Sequence, residues 1–207
     1  MSRLEWDQVG ERKFQAGVDR GVLYLSDVVV PWNGLTGVDE SFNQKSQPYF
    51  QDGVKYLDYQ VLGNYEATLK AFTYPDEFDR CLGIESNGNG MSFHDQLPQP
   101  FGLSYRTLLG DDISGLGSGY IIHVLYNLLA QPSSSSYSSV GGSITPMEFS
   151  WNLTSTPEIV PYQRPTAHVS IRSSDVDGDR LALFEEILYG SDVSDPYLPT
   201  ISELTSV

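Results

Sequence analysis

The stretch Gly119–Ala130, GYIIHVLYNLLA, is apolar however it is divided. Read with period two, Tyr120, Ile122, Val124, Tyr126 and Leu128 point one way. Ile121, His123, Leu125, Asn127 and Leu129 point the other. Its β-branched and aromatic residues predict a strand about twice the usual ~5–6 residues. A strand apolar on both faces needs cover on both, and part of that cover is expected from another subunit. A buried helix is the alternative reading.

The neighbouring segments alternate more plainly. Met147, Phe149, Trp151 and Leu153 oppose Glu148, Ser150, Asn152 and Thr154; Phe101, Leu103 and Tyr105 oppose Gly102, Ser104 and Arg106; Ala167, Val169 and Ile171 oppose Thr166, His168, Ser170 and Arg172. Each reads as a half-buried antiparallel strand with one wet face. Val54–Leu62 and Tyr65–Tyr74 flank Gly63-Asn64 and read as a long hairpin. Two short helices are expected. Pro75–Leu82 has Pro and acids at its start and Gly83 as its stop; Arg180–Tyr189 has a stripe of Leu181, Phe184, Ile187 and Leu188 before Gly190. Ser41–Gly53, Asn87–Pro100 and the low-complexity Ser133–Ser139 read as loops. The economical organisation is one β-rich domain over 1–207, an antiparallel β-sandwich or barrel with a flanking helix. Residues 1–9 and 192–207 are expected as extended arms.

The formal net charge of −15 argues against a nucleic-acid-binding groove or an anionic membrane surface, both of which need basic residues. Cys81 is the single cysteine, so neither an intrachain disulfide nor a multi-cysteine zinc site is available. The opening MSRLEWDQVGERKF has no apolar signal region and no run approaches a membrane span, so a soluble, non-secreted protein is expected.

The cluster DVDGDR, Asp175–Arg180, fails as a calcium loop. Asp175, Asp177 and Asp179 alternate, but Gly178 stands at the fourth position, where an EF-hand needs its glycine at the sixth. Asp177 or Asp179 is instead expected as the helix N-cap. His94, His123 and His168 show no helical metal spacing and read as polar loop or strand residues. No G-x-S-x-G elbow or supported phosphate loop occurs; GLGSGY at Gly115–Tyr120 reads as a hairpin turn. The sequon Asn152-Leu153-Thr154 lies on a strand and reads as chance. No catalytic residue, metal or cofactor is expected.

Several blocks, in order, resemble the major tail proteins of long-tailed, non-contractile bacteriophages of actinobacterial hosts. They are WDQVGERKFQAGVDRGVLYL (Trp6–Leu25), PWNGL (Pro31–Leu35), DGVKYL (Asp52–Leu57), EATLKAFTYPDEF (Glu66–Phe78), PFGLSYRTLLGDD (Pro100–Asp112), YIIHVLYN (Tyr120–Asn127), RPTAHVSI (Arg164–Ile171) and LFEEILYG (Leu183–Gly190). The resemblance implies a tail-tube protein: a β-sandwich that forms six-membered rings, stacked into a hollow tube through which the genome passes. Its implied partners are further copies of itself and other tail proteins (tape measure, distal tail and tail terminator), with DNA passing without binding. Within that frame Glu66, Thr68 and Lys70 are expected on a lumen wall, with the cation of Lys70 a mild objection. Gln44, Lys45, Tyr49 and Phe50, on the Ser41–Gly53 loop, are expected at ring-on-ring contacts. The alternatives are another β-rich tail ring component, or a carbohydrate-binding β-sandwich.

Overall fold

In a computed structural model of the chain, residues 4–42, 45–61, 63, 65–134, 139, 146–160 and 163–206 are described. Gln44, Asn64 and most of the serine-rich stretch after Ser134 lie outside them. The protein is mainly β, with antiparallel pairing throughout. Strands β1 (Lys13–Tyr24), β2 (Val29–Trp32), β3 (Leu35–Phe42), β6 (Tyr65–Ala71), β9 (Phe101–Asp111), β10 (Gly115–Ser134) and β11 (Phe149–Ser155) pair in the order β2-β1-β9-β10-β11-β6-β3. Strand β12 (His168–Arg172) pairs the first half of β10, and β11 pairs its second half. The sheet curls until β3 comes beside β1. Gly21 permits that approach, because a Cβ there would lie 2.3 Å from Leu35 Cδ1. Two small hairpins stand apart: β4 (Lys45–Gln51) with β5 (Val54–Val61), and β7 (Glu85–Ser86) with β8 (Ser92–Phe93).

The curl encloses an inner core that includes Leu23, Leu69, Leu103, Leu125, Leu128 and Leu153. One end is filled by aromatic rings: Trp32 lies 4.5 Å from Phe78 and 5.7 Å from Trp151. Phe78 comes from the 3₁₀ helix Asp76–Leu82, which Pro75 precedes and Gly83 ends in a left-handed conformation, as the sequence predicts. The short helix expected over Pro75–Leu82 is of the tighter 3₁₀ form.

A second core lies on the outside of the sheet. Val22, Tyr24, Ile122, Val124, Tyr126 and Ile171 meet Phe184 and Leu188 of helix α1 (Gly178–Tyr189), with Ile201 and Leu204 of helix α2 (Ile201–Ser206). Polar contacts fix α1 to the sheet. Tyr24 donates to the Leu188 carbonyl at 2.8 Å, and Tyr120 to Glu185 at 2.8 Å. Arg106 makes a bidentate pair with Asp19 at 2.8 and 2.7 Å and lies over the Tyr120 ring.

Several expectations change here. Both faces of the Ile121–Tyr126 stretch of β10 are covered within one chain, so no neighbour is needed to bury it. The face assignment also breaks at Asn127, whose φ is 50°, where the register shifts as β10 leaves β12 for β11. One extra residue in a strand inverts the alternation beyond it. Leu128 and Ala130 therefore join the inner core and Leu129 is exposed. Phe101–Tyr105 of β9 is buried on both faces rather than half-buried, because the helical layer covers its second face. The stretch 192–206 does not extend as an arm. Leu198 sits over Gly102, where a Cβ would lie 2.4 Å from its Cδ2, and Ile201 and Leu204 are buried. The hairpin turn at GLGSGY lies slightly earlier, at Asp112–Ser114, with a bulged start to β10.

Asp177 does occupy the N-cap position of α1 and Asp179 its first turn, but the Asp177 side chain makes no capping hydrogen bond. Removing the Asp177 carboxylate, Asp177→Ala, should therefore change unfolding free energy by less than about 0.5 kcal/mol. Leu188→Ala should cost about 2–5 kcal/mol, both read from urea denaturation. The Arg106 guanidinium beside Asp19 holds its carboxyl below the usual range. That contribution is present above the unfolded pKa and is lost as pH falls through the lower folded value. Acid unfolding followed below about pH 4 should accordingly be less steep in Asp19→Asn.

Candidate assembly surface

The hairpin β4–β5 turns at Asp52-Gly53, with φ of 51° and 76°. Two successive positive φ values suit a type I′ turn, the connection that matches strand twist. The predicted long hairpin over Gly63-Asn64 is therefore corrected. Strand β5 pairs β4, whereas β6 pairs β3 and β11 in the main sheet. The predicted Ser41–Gly53 loop is likewise corrected: its described residues lie in the end of β3, in β4 and in the turn. Asp52-Gly53, flanked by apolar residues, was the stronger turn signal in the sequence.

On this hairpin Tyr49, Phe50, Val54, Tyr56, Leu57 and Tyr59 are between 53% and 74% exposed. Tyr49 stands opposite Leu57, and Tyr56 occupies the other face, so both faces of the ribbon carry exposed apolar groups. Among the described residues, β4 and β5 pair only with each other. A two-stranded ribbon is marginal alone in water, and its exposed rings are the type of surface that marks an interaction site. Of the residues expected at ring contacts, Tyr49 and Phe50 lie here on β4, Lys45 begins the strand, and Gln44 is outside the described residues.

Glu66, Thr68 and Lys70 occupy the outward face of β6, away from the inner core. Asp39 and Ser41 of β3 flank them on one side, and Ser150, Asn152 and Thr154 of β11 on the other. Together they make a polar wall. Lys70 pairs with Asp39 at 2.8 Å, and Asp39 holds its ammonium above the usual range. With Asp39 and Glu66 against Lys70, the formal balance of these residues is acidic.

At the Tyr65 end of β6 the interior turns polar. Glu40 points inward from β3 and accepts from Tyr65 at 3.1 Å and from Tyr105 at 2.5 Å. His123 Nδ1 lies 3.0 Å from His168 Nε2, and His123 Nε2 lies 3.0 Å from Thr107 Oγ1. The His123 ring stacks on Tyr105. Burial pushes His123 down to about 4 and His168 down as well. Sequence spacing hid this grouping, because residues 40, 123 and 168 sit on three strands brought together only by the curl. His94 lies in an exposed loop apart from them.

No protein-family model and no curated protein matches the chain. Solved structures give loose likenesses. A chain of the PVC sheath–tube complex, an extracellular contractile injection system in its extended state, shares 16% identity with TM-score 0.37, over 74% of this chain and 88% of that one. A chain of the anti-feeding prophage baseplate shares 10% with TM-score 0.39, over 81% and 97%. A chain of the anti-feeding prophage tube-terminating cap shares 12% with TM-score 0.36, over 84% and 97%. Superpositions this loose allow strand paths and functional surfaces to differ, so the role of the protein rests on its own surfaces.

Truncating Glu40 to alanine removes the acceptor shared by two largely buried tyrosine hydroxyls. Glu40→Ala should cost about 1–3 kcal/mol in urea unfolding, and Glu40→Gln, which keeps an acceptor, clearly less.

Proposed function

We propose that the protein is a structural subunit of a phage-type tail that assembles with copies of itself into stacked, six-membered rings forming a hollow tube. The observation that carries this reading is the β4–β5 hairpin, an apolar ribbon exposed on both faces within one subunit. A second copy would bury its rings and offer partners to its strand edges. The sequence blocks that resemble tail-tube proteins include DGVKYL, which begins at this turn. The polar wall of Asp39, Glu66, Thr68, Lys70 and Asn152 is assigned to the lumen. Its acidic balance would repel phosphates and let DNA slide. Pairing with Asp39 answers the objection that Lys70 raised. The reading involves no catalysis. It has tape measure, distal tail and terminator proteins as further partners, assembly in the host cytoplasm, and the virion tail as the final location.

The test is negative-stain microscopy of the concentrated protein, with Tyr49→Ser, Phe50→Ser and Tyr56→Ser combined as the comparison. The native chain should give tubes. The triple variant should stay monomeric by light scattering, with thermal unfolding close to that of native monomer. Tubes of normal length from the triple variant would overturn the role of the hairpin; single closed rings from the native chain would replace a tube subunit with a ring component.

A further inference from the structure

We propose that Glu40, His123 and His168 form a three-ligand site for a divalent first-row transition ion, zinc by its donor set, clamping β3 to β10 and β12 across the interior. Among the described residues they are the one group of three His, Cys, Asp or Glu side chains whose ligand atoms all lie within 4.8 Å of one another. Two imidazoles and a carboxylate are a donor set that zinc takes in three-ligand sites, leaving a fourth position for water.

The geometry suits the ion. Tetrahedral zinc with bonds of about 2.0–2.1 Å holds ligand nitrogens about 3.3 Å apart. His123 Nδ1 and His168 Nε2 are already 3.0 Å apart, so an ion needs a separation of a few tenths of an ångström. One ligand atom from each of the three side chains lies within 4.8 Å of the other two. The 3.8 Å contact of Glu40 Oε1 is to His168 Nδ1, the nitrogen turned away from the ion, so the Glu40 carboxylate has to swing toward the Nε2 side to complete the set.

The surroundings do what outer partners of a metal site do. Thr107 Oγ1 can accept from His123 Nε2–H, which leaves Nδ1 with its lone pair facing His168. Tyr105 stacks on His123 and also donates to Glu40. Tyr65 donates to the same carboxylate oxygen, so Oε2 remains for an ion. An entry path exists, since the side chains of Glu40 and His168 are 19% and 16% exposed. The site stands apart from the hairpin and the polar wall, so it holds or fails independently of the assembly reading.

The experiment uses the untagged full chain, stripped with chelator, exchanged into clean buffer and titrated with Co²⁺ and then Zn²⁺. One Co²⁺ per chain should bind with the visible absorption of a tetrahedral ion, and Zn²⁺ should displace it and raise the melting temperature. His168→Ala and His123→Ala should weaken binding at least about tenfold, while His94→Ala should leave it unchanged. Where an alanine variant unfolds by circular dichroism, His168→Gln takes its place with the same expectation. Absence of the cobalt band in the native chain overturns the proposal and leaves a hydrogen-bonded histidine pair. A band that survives the double substitution His123→Ala with His168→Ala overturns it equally.

Discussion

Strand β10 has to be buried on both faces, and the rest of the molecule is arranged around that requirement. Its inner face needs the curled sheet; its outer face needs a helical layer. The chain supplies that layer from its C-terminal end, where α1 and α2 pack on Ile122, Val124 and Tyr126. The bulge at Asn127 then hands β10 from one partner strand to another. Asparagine tolerates the left-handed conformation this needs better than most side chains. Without that residue of slack, Leu128 and Ala130 would face outward and Leu129 inward. Burial of ring and branched side chains at about 25 cal/mol per Å² makes such an inversion expensive.

Covering β10 within one chain changes where an assembly surface should be sought. A two-sided apolar strand suggests a neighbour, but here the neighbour is the protein's own helix. The unmet demand sits instead on β4–β5, whose rings have no cover from the main sheet. The polar wall of β3, β6 and β11 makes the opposite kind of surface. There Lys70 is held by Asp39, and hydroxyls and amides from β11 fill the remaining rungs. A surface of that kind has little to gain from being buried against protein.

The strands that alternate plainly were legible in the sequence. Trp151 and Leu153 face inward as expected, and Glu66, Thr68 and Lys70 face outward, because burial of one face leaves a period of two. The 3₁₀ segment was legible as well, since Pro75 and Gly83 fix its ends locally. The errors have a common physical origin in pairing between distant residues. Gly63-Asn64 read as the hairpin turn and Ser41–Gly53 as a loop, and only the sheet decides that β6 belongs with β11. Alternation through GYIIHVLYNLLA could not reveal a bulge at Asn127. The C-terminal segment looked extended because its few apolar residues gain their meaning only over Gly102. The histidine pair was invisible for the same reason: forty-five residues separate its members in the chain and 3.0 Å separates their nitrogens in the fold.

The polar end of the interior also bears on strand register. Turning a carboxylate inward is costly unless it finds hydrogen-bond donors, and Tyr65 and Tyr105 both donate to Oε1 of Glu40. A slip of β3 by one residue would turn Glu40 to the outside and bring Asp39 or Ser41 inward. Asp39 would then lose Lys70, and the two tyrosine hydroxyls would lose their shared acceptor. The aromatic end around Trp32, Phe78 and Trp151 tolerates neither a charge nor a water-filled gap, so it offers β3 no alternative place for Glu40. An edge strand is ordinarily the least constrained in a sheet, and apolar contacts alone fix its position weakly. Here one inward-facing, partly buried carboxylate does what apolar packing cannot, and it does so on the strand that ends the sheet.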